Sequence, residues 1–450
     1  MNTERENIIV YGLGITGKSA VKTLSKLGGF NVFIYDEKEY EKIEKELEEL
    51  KDFKFSFLTQ EDFDSFNFKY CVKSPGIHLE NKFLKKCGEK QIEIITDIEL
   101  CYLLWPNRKY LAITGTNGKT TTTTLVGEII KQSGKNCVVA GNIGVGLLWE
   151  VFNSEEDAYI VIECSSFQLE NINKFKPHIC AIINLTPDHK DWHKTVENYY
   201  NAKKKIAKNQ NNEDYIILNY NSKELVDFSK SVNSKVVFIS TREKVKNGIY
   251  IENGYIKSEL RGYVEELFPI SNIKLVERHN FENVLVAVGI CLTSGIDVKS
   301  IVYTCENFQG VSHRIEFVRE IKGVKYYNDS KGTNVDASIK AIEAFDKPII
   351  LIAGGYDKKV PLDDLFVSFS GNVKALILLG ETKNIFYETA VKHGFKNNYI
   401  VDDMEEAVSK AYELSQFDDI VLLSPASASW DMYDNYEVRG NHFKELVNKL

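Results

Sequence analysis

No apolar run in the 450 residues approaches the roughly 20 that a helix needs to cross a bilayer, so membrane insertion is not expected. A basic excess is also missing. The formal net charge is −8, which argues against a nucleic-acid-binding surface but leaves room for a local phosphate site. The eight cysteines contain no C-x-x-C pair, so neither a zinc site nor a disulfide framework is expected. They lie in apolar runs such as Ile179-Cys180-Ala181 and read as buried, reduced thiols, which points to the cytoplasm. The first residues pass from a short charged stretch straight into a strand pattern, and no signal peptide is expected. Internal repeats and low-complexity linkers are absent as well. What is present is ordinary for a globular chain, with 43% hydrophobic and 27% charged residues. A chain of 450 residues is too long for one compact core, and two to four domains are expected.

Short apolar runs alternate with longer amphipathic stretches, the pattern of an α/β protein with mainly parallel sheets. A first series of strands is expected at 8–11, 31–35, 70–73 and 92–95, with a helix starting near Gly17. A second series covers 110–113, 138–139, 159–162, 179–184 and 215–218. Asn253-Gly254 between two apolar runs signals a hairpin and some appended antiparallel sheet. After Gly310 a third series opens with a hairpin turning at Lys322-Gly323 and continues at 348–353, 375–379 and 420–423. Where each series restarts sets domains at 1–97, 98–311 and 312–450.

The most informative stretch is Ile113-Thr114-Gly115-Thr116-Asn117-Gly118-Lys119-Thr120-Thr121. An apolar strand enters a glycine-bearing turn, and a helix is expected from Lys119. Backbone N–H groups of such a turn, with the positive end of the helix, cradle phosphate oxygens. Lys119 would neutralise the β- and γ-phosphates and the Thr120 hydroxyl would ligate Mg²⁺. The two glycines are closer together than in the common phosphate-loop motif, so this is a short variant. A plain strand–turn–helix junction is the alternative.

Gly12-Leu13-Gly14-Ile15-Thr16-Gly17 also follows a strand and opens a helix, with Asp36 closing the next strand. By pattern this is a dinucleotide fingerprint with Asp36 on a ribose hydroxyl, and it opens a competing reading as an NAD-dependent oxidoreductase. A phosphate-bearing substrate held at this first helix explains both glycine motifs. Hydride transfer has no use for the second. Glu163 ends the run 159–162 where a Mg²⁺-binding acid stands in phosphate-loop enzymes, or it simply caps a strand. Asp188-His189 follows the run 179–184 and falls at its carboxyl end. Lys203-Lys204-Lys205 would by itself be a solvated helix face.

Taken in order, these motifs resemble the Mur ligase family over the whole chain. The anchors are 12–19, Ser74-Pro75-Gly76-Ile77, 114–121, Gly141-Asn142-Ile143-Gly144, 163–169, Asp188-His189, His279-Asn280 with Asn283, His313-Arg314, 328–334, 354–358 and 423–429. The opening Gly-Leu-Gly-Ile-Thr-Gly-Lys-Ser is similar to the branch that adds D-glutamate to UDP-N-acetylmuramoyl-L-alanine. Three positions depart from the family pattern. Cys164 replaces a serine, Arg278 a glycine, and Tyr436 a phenylalanine.

The resemblance implies three α/β domains: a Rossmann-like domain for the UDP-sugar, a central phosphate-loop ATPase domain, and a Rossmann-like domain receiving the amino acid. It implies an ATP-dependent amide-forming ligase acting through an acyl phosphate in peptidoglycan precursor synthesis. Gly115, Thr116, Asn117, Gly118, Lys119, Thr120, Thr121, Asn280, Asn283, Arg314 and Asp329 would serve ATP. Two Mg²⁺ ions would be held by Thr120, Glu163, His189 and a CO₂-derived carbamate on Lys203, since a cationic lysine repels the metal and a carbamate offers it oxygen. Ile15, Thr16, Asp36, Ser74, Asn142 and Gln168 would face the UDP-substrate. Lys331, Thr333, Lys358, Ser429 and Tyr436 would face D-glutamate, two cations suiting a dicarboxylate. Lys119, Glu163, His189 and Lys203 are the expected catalytic set. The expected partners are these small molecules, with no nucleic acid, and the chain is expected to act as a monomer. A sibling ligase adding another amino acid, a folylpolyglutamate synthetase and a non-catalytic binding protein are the alternatives.

Overall fold

The computed structural model describes residues 5–38, 42–260, 262–275, 279–357, 361–369 and 371–450. They form two compact units, Met1–Phe308 and Gln309–Leu450. The first unit carries two sheets and the second carries one.

The first sheet consists of β1 (Glu6–Tyr11), β2 (Phe30–Tyr35), β3 (Ser56–Phe57), β4 (Phe68–Lys73) and β5 (Glu93–Ile95). All pair in parallel in the order β3-β2-β1-β4-β5. Both faces are covered by helices, so Ile8, Ile9 and Val10 are buried in succession instead of alternating with polar residues. The strand order reverses between β1 and β4, which opens a crevice at their carboxyl ends. The helix after β1 runs Ile15–Leu27, two residues earlier than the expected start at Gly17.

The second sheet holds β6 (Lys109–Thr114), β7 (Cys137–Gly141), β8 (Tyr159–Glu163), β9 (Ile179–Ile182), β10 (Tyr215–Asn219), β11 (Lys235–Ser240), β12 (Gly248–Glu252), β13 (Tyr255–Ser258) and β14 (Glu265–Pro269). Their order is β14-β13-β12-β11-β10-β9-β6-β8-β7, parallel except for the β12-β13-β14 meander. That meander turns at Asn253 and Gly254, with φ of 53° and 78°, the left-handed pair that a two-residue hairpin requires. β9 ends at Ile182, short of the expected 184, because the next residues turn toward the loop after β6. One face of the sheet is closed by the helices Lys119–Gln132 and His279–Thr293, through Leu125, Ile129, Val284 and Val288. On the other face one apolar core continues from Ile8 and Val10 of the first sheet to Ala112 and Ile162 of the second.

The second unit is built on β15 (Glu316–Ile321), β16 (Val324–Asn328), β17 (Ile349–Ala353), β18 (Val373–Leu378), β19 (Asn398–Ile400) and β20 (Ile420–Leu423). The order is β15-β16-β20-β17-β18-β19, parallel apart from the β15-β16 hairpin. Lys322 and Gly323 make its turn, with φ of 51° and 80°. No helix among the described residues is long and apolar enough to cross a membrane. All eight cysteines are free, seven buried and Cys137 half-buried.

The helix Asp97–Leu104 joins the two sheets of the first unit, and Glu99 on it is fully buried. Its carboxylate accepts the backbone N–H groups of Asn173 (2.8 Å), Lys174 (2.7 Å) and Phe175 (3.0 Å), fixing the segment that leads into β9. Replacing it leaves three backbone donors without their acceptor, the buried Phe175 N–H among them. Glu99→Ala is expected to lower the unfolding free energy of the first unit by about 2–4 kcal/mol in denaturant titrations.

Candidate functional site

The loop after β6 is held in shape by its neighbours. Asn184 Oδ1 accepts the N–H groups of Thr116 (3.1 Å) and Asn117 (2.9 Å), and the Asn184 carbonyl also accepts Thr116 N–H. The Thr116 hydroxyl donates to the Thr186 carbonyl at 3.0 Å and accepts the Tyr199 hydroxyl at 3.2 Å. Gly118 caps the helix Lys119–Gln132 with φ of 79°, a left-handed conformation that suits glycine, and a β-carbon there would collide with Asn283 Oδ1. Asn283 in turn donates to Asn280 Oδ1 at 2.9 Å. Asn280 and Asn283 therefore sit behind the loop, both buried. Thr120 is buried in the first turn of the helix and Thr121 is half-buried beside it.

Lys119 folds back onto its own loop, donating to the carbonyls of Gly115 (2.9 Å) and Thr116 (2.8 Å). Lys203 reaches the same Gly115 carbonyl from the helix Val196–Lys204 at 2.8 Å. Its side chain is 1% exposed, and burial together with the charge of Lys119 holds its pKa well below the ordinary lysine value. The lysine run is thus not a solvated face. Lys203 is buried, Lys204 lies over the Phe228 ring and Lys205 donates to the Glu170 carbonyl.

Glu163 ends β8, next to β6, and is buried. Asn142 donates to its Oε1 at 2.9 Å, while Oε2 is buried with no hydrogen-bond partner. An oxygen-bearing anion left half satisfied beside a phosphate loop fits a hard divalent cation such as Mg²⁺. Among the described residues no group of three or more His, Cys, Asp or Glu side chains could hold a metal by itself. His189 is exposed at the carboxyl end of β9, with φ of 47°, against Phe167 and Tyr199.

At the β1–β4 crevice Ser74 donates to the Gly12 carbonyl at 3.1 Å and Asp36 Oδ2 accepts Leu13 N–H at 2.9 Å. Asp36 therefore braces the glycine loop. Ile15 is 52% exposed and Thr16 half-buried at the head of the following helix. Gln168 is buried, and its amide is committed to Ser165 and to Asp97, to which it donates at 3.0 Å.

In the second unit, Asp329 after β16 accepts Ile315 N–H at 3.2 Å and the Ser424 hydroxyl at 2.7 Å. Arg314 is exposed in the turn before β15. The Lys331 ammonium lies 5.8 Å from the centre of the Tyr436 ring. Thr333 is half-buried and Ser429 is buried after β20. Burial and the neighbouring Glu437 push the Tyr436 hydroxyl up to about 12, so it stays a neutral donor at physiological pH. Lys358 and Arg278 lie outside the described residues.

Sequence reasoning did not single out Asn184 or Asp97. Asn184 stands inside a recognisable motif, but nothing in the sequence shows that its side chain turns back onto the phosphate loop. Asp97 looks like one more acid in the first turn of a helix.

Three family models match the chain in succession. These are the Mur ligase MurD-like N-terminal domain over 6–96, the Mur ligase middle domain over 113–291 and the Mur ligase glutamate ligase domain over 313–427. The chain is 45% identical over 456 residues to a UDP-N-acetylmuramoylalanine–D-glutamate ligase of Thermoanaerobacter sp. (strain X514), covering 100% of both chains. It is 42% identical over 453 residues to the enzyme of the same name from Clostridioides difficile (strain 630), again covering 100% of both. Among solved structures it is similar in fold to the UDP-N-acetylmuramate–alanine ligase MurC of Thermotoga maritima, with a TM-score of 0.56, 18% identity and 99% of each chain covered. MurF ligase of Thermotoga maritima, solved with ADP, gives a TM-score of 0.55 at 14% identity with 99% of each chain covered.

Two consequences of this geometry can be measured. Gly118→Ala places a β-carbon in a left-handed conformation and against Asn283. It should weaken ATP binding by about tenfold or more in calorimetry and cost roughly 1–2 kcal/mol of stability. The second concerns Lys73, which ends β4 fully buried, with its ammonium 3.4 Å from the Pro75 carbonyl. Burial lowers its pKa from 10.5 to about 8. Between those values the unfolded chain holds a proton that the folded chain has released, so stability should rise with pH from about 8 to 10.5. Denaturant midpoints measured across that range should show the rise, and Lys73→Met should flatten it.

Proposed function

The chain belongs to the Mur ligase family, and on that premise we propose that it is the ATP-dependent ligase adding D-glutamate to UDP-N-acetylmuramoyl-L-alanine in peptidoglycan precursor synthesis. The observation that carries this reading is full-length likeness, at 41–45% identity, to relatives that all bear the D-glutamate ligase name.

The alanyl carboxylate of the UDP-substrate attacks the γ-phosphorus of ATP, giving an acyl phosphate and ADP. The amine of D-glutamate then attacks the acyl carbon, and the tetrahedral adduct collapses to the amide with loss of phosphate. The protein contributes placement and charge neutralisation, as in other phosphoryl transfers. Lys119 would exchange its two loop carbonyls for phosphate oxygens, with the helix Lys119–Gln132 presenting its positive end. Asn280, Asn283, Arg314 and Asp329 would hold the rest of the nucleotide. Thr120 and the unpaired oxygen of Glu163 suit a first Mg²⁺, and His189 with Lys203 would serve a second. When bound, the metal lowers the charge barrier between a carboxylate nucleophile and a polyphosphate.

Lys203 would act as a carbamate. Burial beside Lys119 favours its neutral amine, and only the neutral amine adds to CO₂, forming an N–C bond with release of a proton. The product is an anion placed where a second ammonium is disfavoured. Ile15, Thr16, Ser74 and Asn142 would contact the UDP-substrate. Asp36 and Gln168, which like Ser74 and Asn142 are also bonded within the protein, would join them in forming its site. Lys331, Thr333, Ser429 and Tyr436 would receive D-glutamate, together with Lys358. The reaction is placed in the cytoplasm, with the chain acting as a monomer.

The test is phosphate release from ATP and Mg²⁺ with UDP-N-acetylmuramoyl-L-alanine, offering D-glutamate, L-glutamate, L-alanine and meso-diaminopimelate in parallel. Release with D-glutamate alone is expected, and release with another amino acid instead would move the chain to a sibling activity. In the same assay Lys203→Ala should lose at least about a hundredfold in kcat, partly restored by small carboxylic acids. Rescue of Lys204→Ala but not of Lys203→Ala would transfer the carbamate to Lys204.

A further inference from the structure

Arg439 lies on the last helix, Tyr436–Lys449, and is 3% exposed. Its guanidinium makes four hydrogen bonds. Nε donates to the Ser330 hydroxyl (3.0 Å), Nη1 to the Ala428 carbonyl (3.1 Å), and Nη2 to the carbonyls of Ser330 (2.9 Å) and Ser427 (3.1 Å). The Ser330 hydroxyl in turn donates a hydrogen bond to the Tyr436 carbonyl at 2.8 Å, closing a ring between the loop after β16 and the start of the helix. The Ala428 carbonyl also accepts Tyr356 N–H at 2.9 Å, which ties in the loop after β17. The Gly355 α-carbon comes close enough that a β-carbon there would stand 3.1 Å from Arg439 Nη1. One planar cation thus fastens the loops after β16 and β20 directly, and the loop after β17 is tied to them through the Ala428 carbonyl.

Three of the fastened carbonyl-bearing residues adjoin, or are, residues placed on the amino-acid side, and Ser427 stands two residues before Ser429. Lys331 follows Ser330, Ser429 follows Ala428, and Tyr436 itself supplies the carbonyl held by Ser330. We propose that Arg439 is the positioning residue of the amino-acid site: it touches no substrate, and it fixes the spacing among Lys331, Ser429 and Tyr436 by holding the main chain beside each of them. This inference rests on the function proposed above. Burial lowers Arg439 to about 10, so the guanidinium keeps its charge and all its donors at neutral pH. A lysine cannot replace it, because an ammonium donates from one point, whereas these four acceptors are spread along a planar fork.

The experiment is steady-state kinetics of Arg439→Lys and Ser330→Ala beside the wild type, varying each substrate separately. Arg439→Lys is expected to raise KM for D-glutamate about tenfold, with KM for ATP and the UDP-substrate changing less than about twofold. Ser330→Ala, which removes one acceptor and the link to Tyr436, should raise the same KM by about threefold and keeps the test open if the arginine variant does not fold. A variant whose kcat falls while KM for D-glutamate stays at the wild-type value would overturn the proposal, because a general loss of folded protein has that signature. If the wild type itself turns over with another amino acid, the functional reading fails. The positioning role is then judged by the KM of that amino acid.

Discussion

Two lysine side-chain nitrogens converge on one carbonyl oxygen, that of Gly115, and the phosphate loop is built around that crowding. Lys119 belongs to the loop and can leave it for phosphate oxygens. Lys203 comes from another helix and is sealed from water, so it has no comparable freedom. A protonated amine at Lys203 faces both desolvation and a neighbouring like charge, and the neutral amine faces neither. The buried oxygen of Glu163 poses the opposite electrostatic problem a short way along the same sheet edge. The site thus carries a cationic excess at one end and a half-satisfied carboxylate at the other.

The same design recurs at several loops that leave the carboxyl ends of strands. In each case a polar side chain from elsewhere holds the main chain of the loop. Asn184 does this for the phosphate loop, Asp36 and Ser74 for the first glycine loop, and Arg439 for the loops of the second unit. Parallel sheets supply the frame, because the strand ends of each sheet bring that sheet's own loops to one edge.

How much of this could be read in the sequence depends on how local each constraint is. Gly118 was legible because a left-handed cap leaves few other residues possible, and the Asn253-Gly254 and Lys322-Gly323 turns were legible for the same reason. The burial of Lys203 was not. Three consecutive lysines look alike until the packing of the helix decides which one turns inward. The roles of Asn184 and Arg439 depend on partners 67 and 109 residues away, and no local pattern encodes such distances. β3 and β19, at two and three residues, are too short to show a period, whereas β11 carries an ordinary apolar run and its omission is a failure of reading, not of signal.

The cysteines divide the chain in a way that chemistry can exploit. All eight fall between Cys71 and Cys305, within the first unit, and the second unit has none. Seven are sealed in the interior, so an alkylating reagent gains access to them only as fast as the surrounding structure opens. The rate at which these seven thiols are labelled in the native protein is therefore a clock for local unfolding of one unit alone. Any ligand that steadies the first unit will slow that clock, and events confined to the second will leave it unchanged.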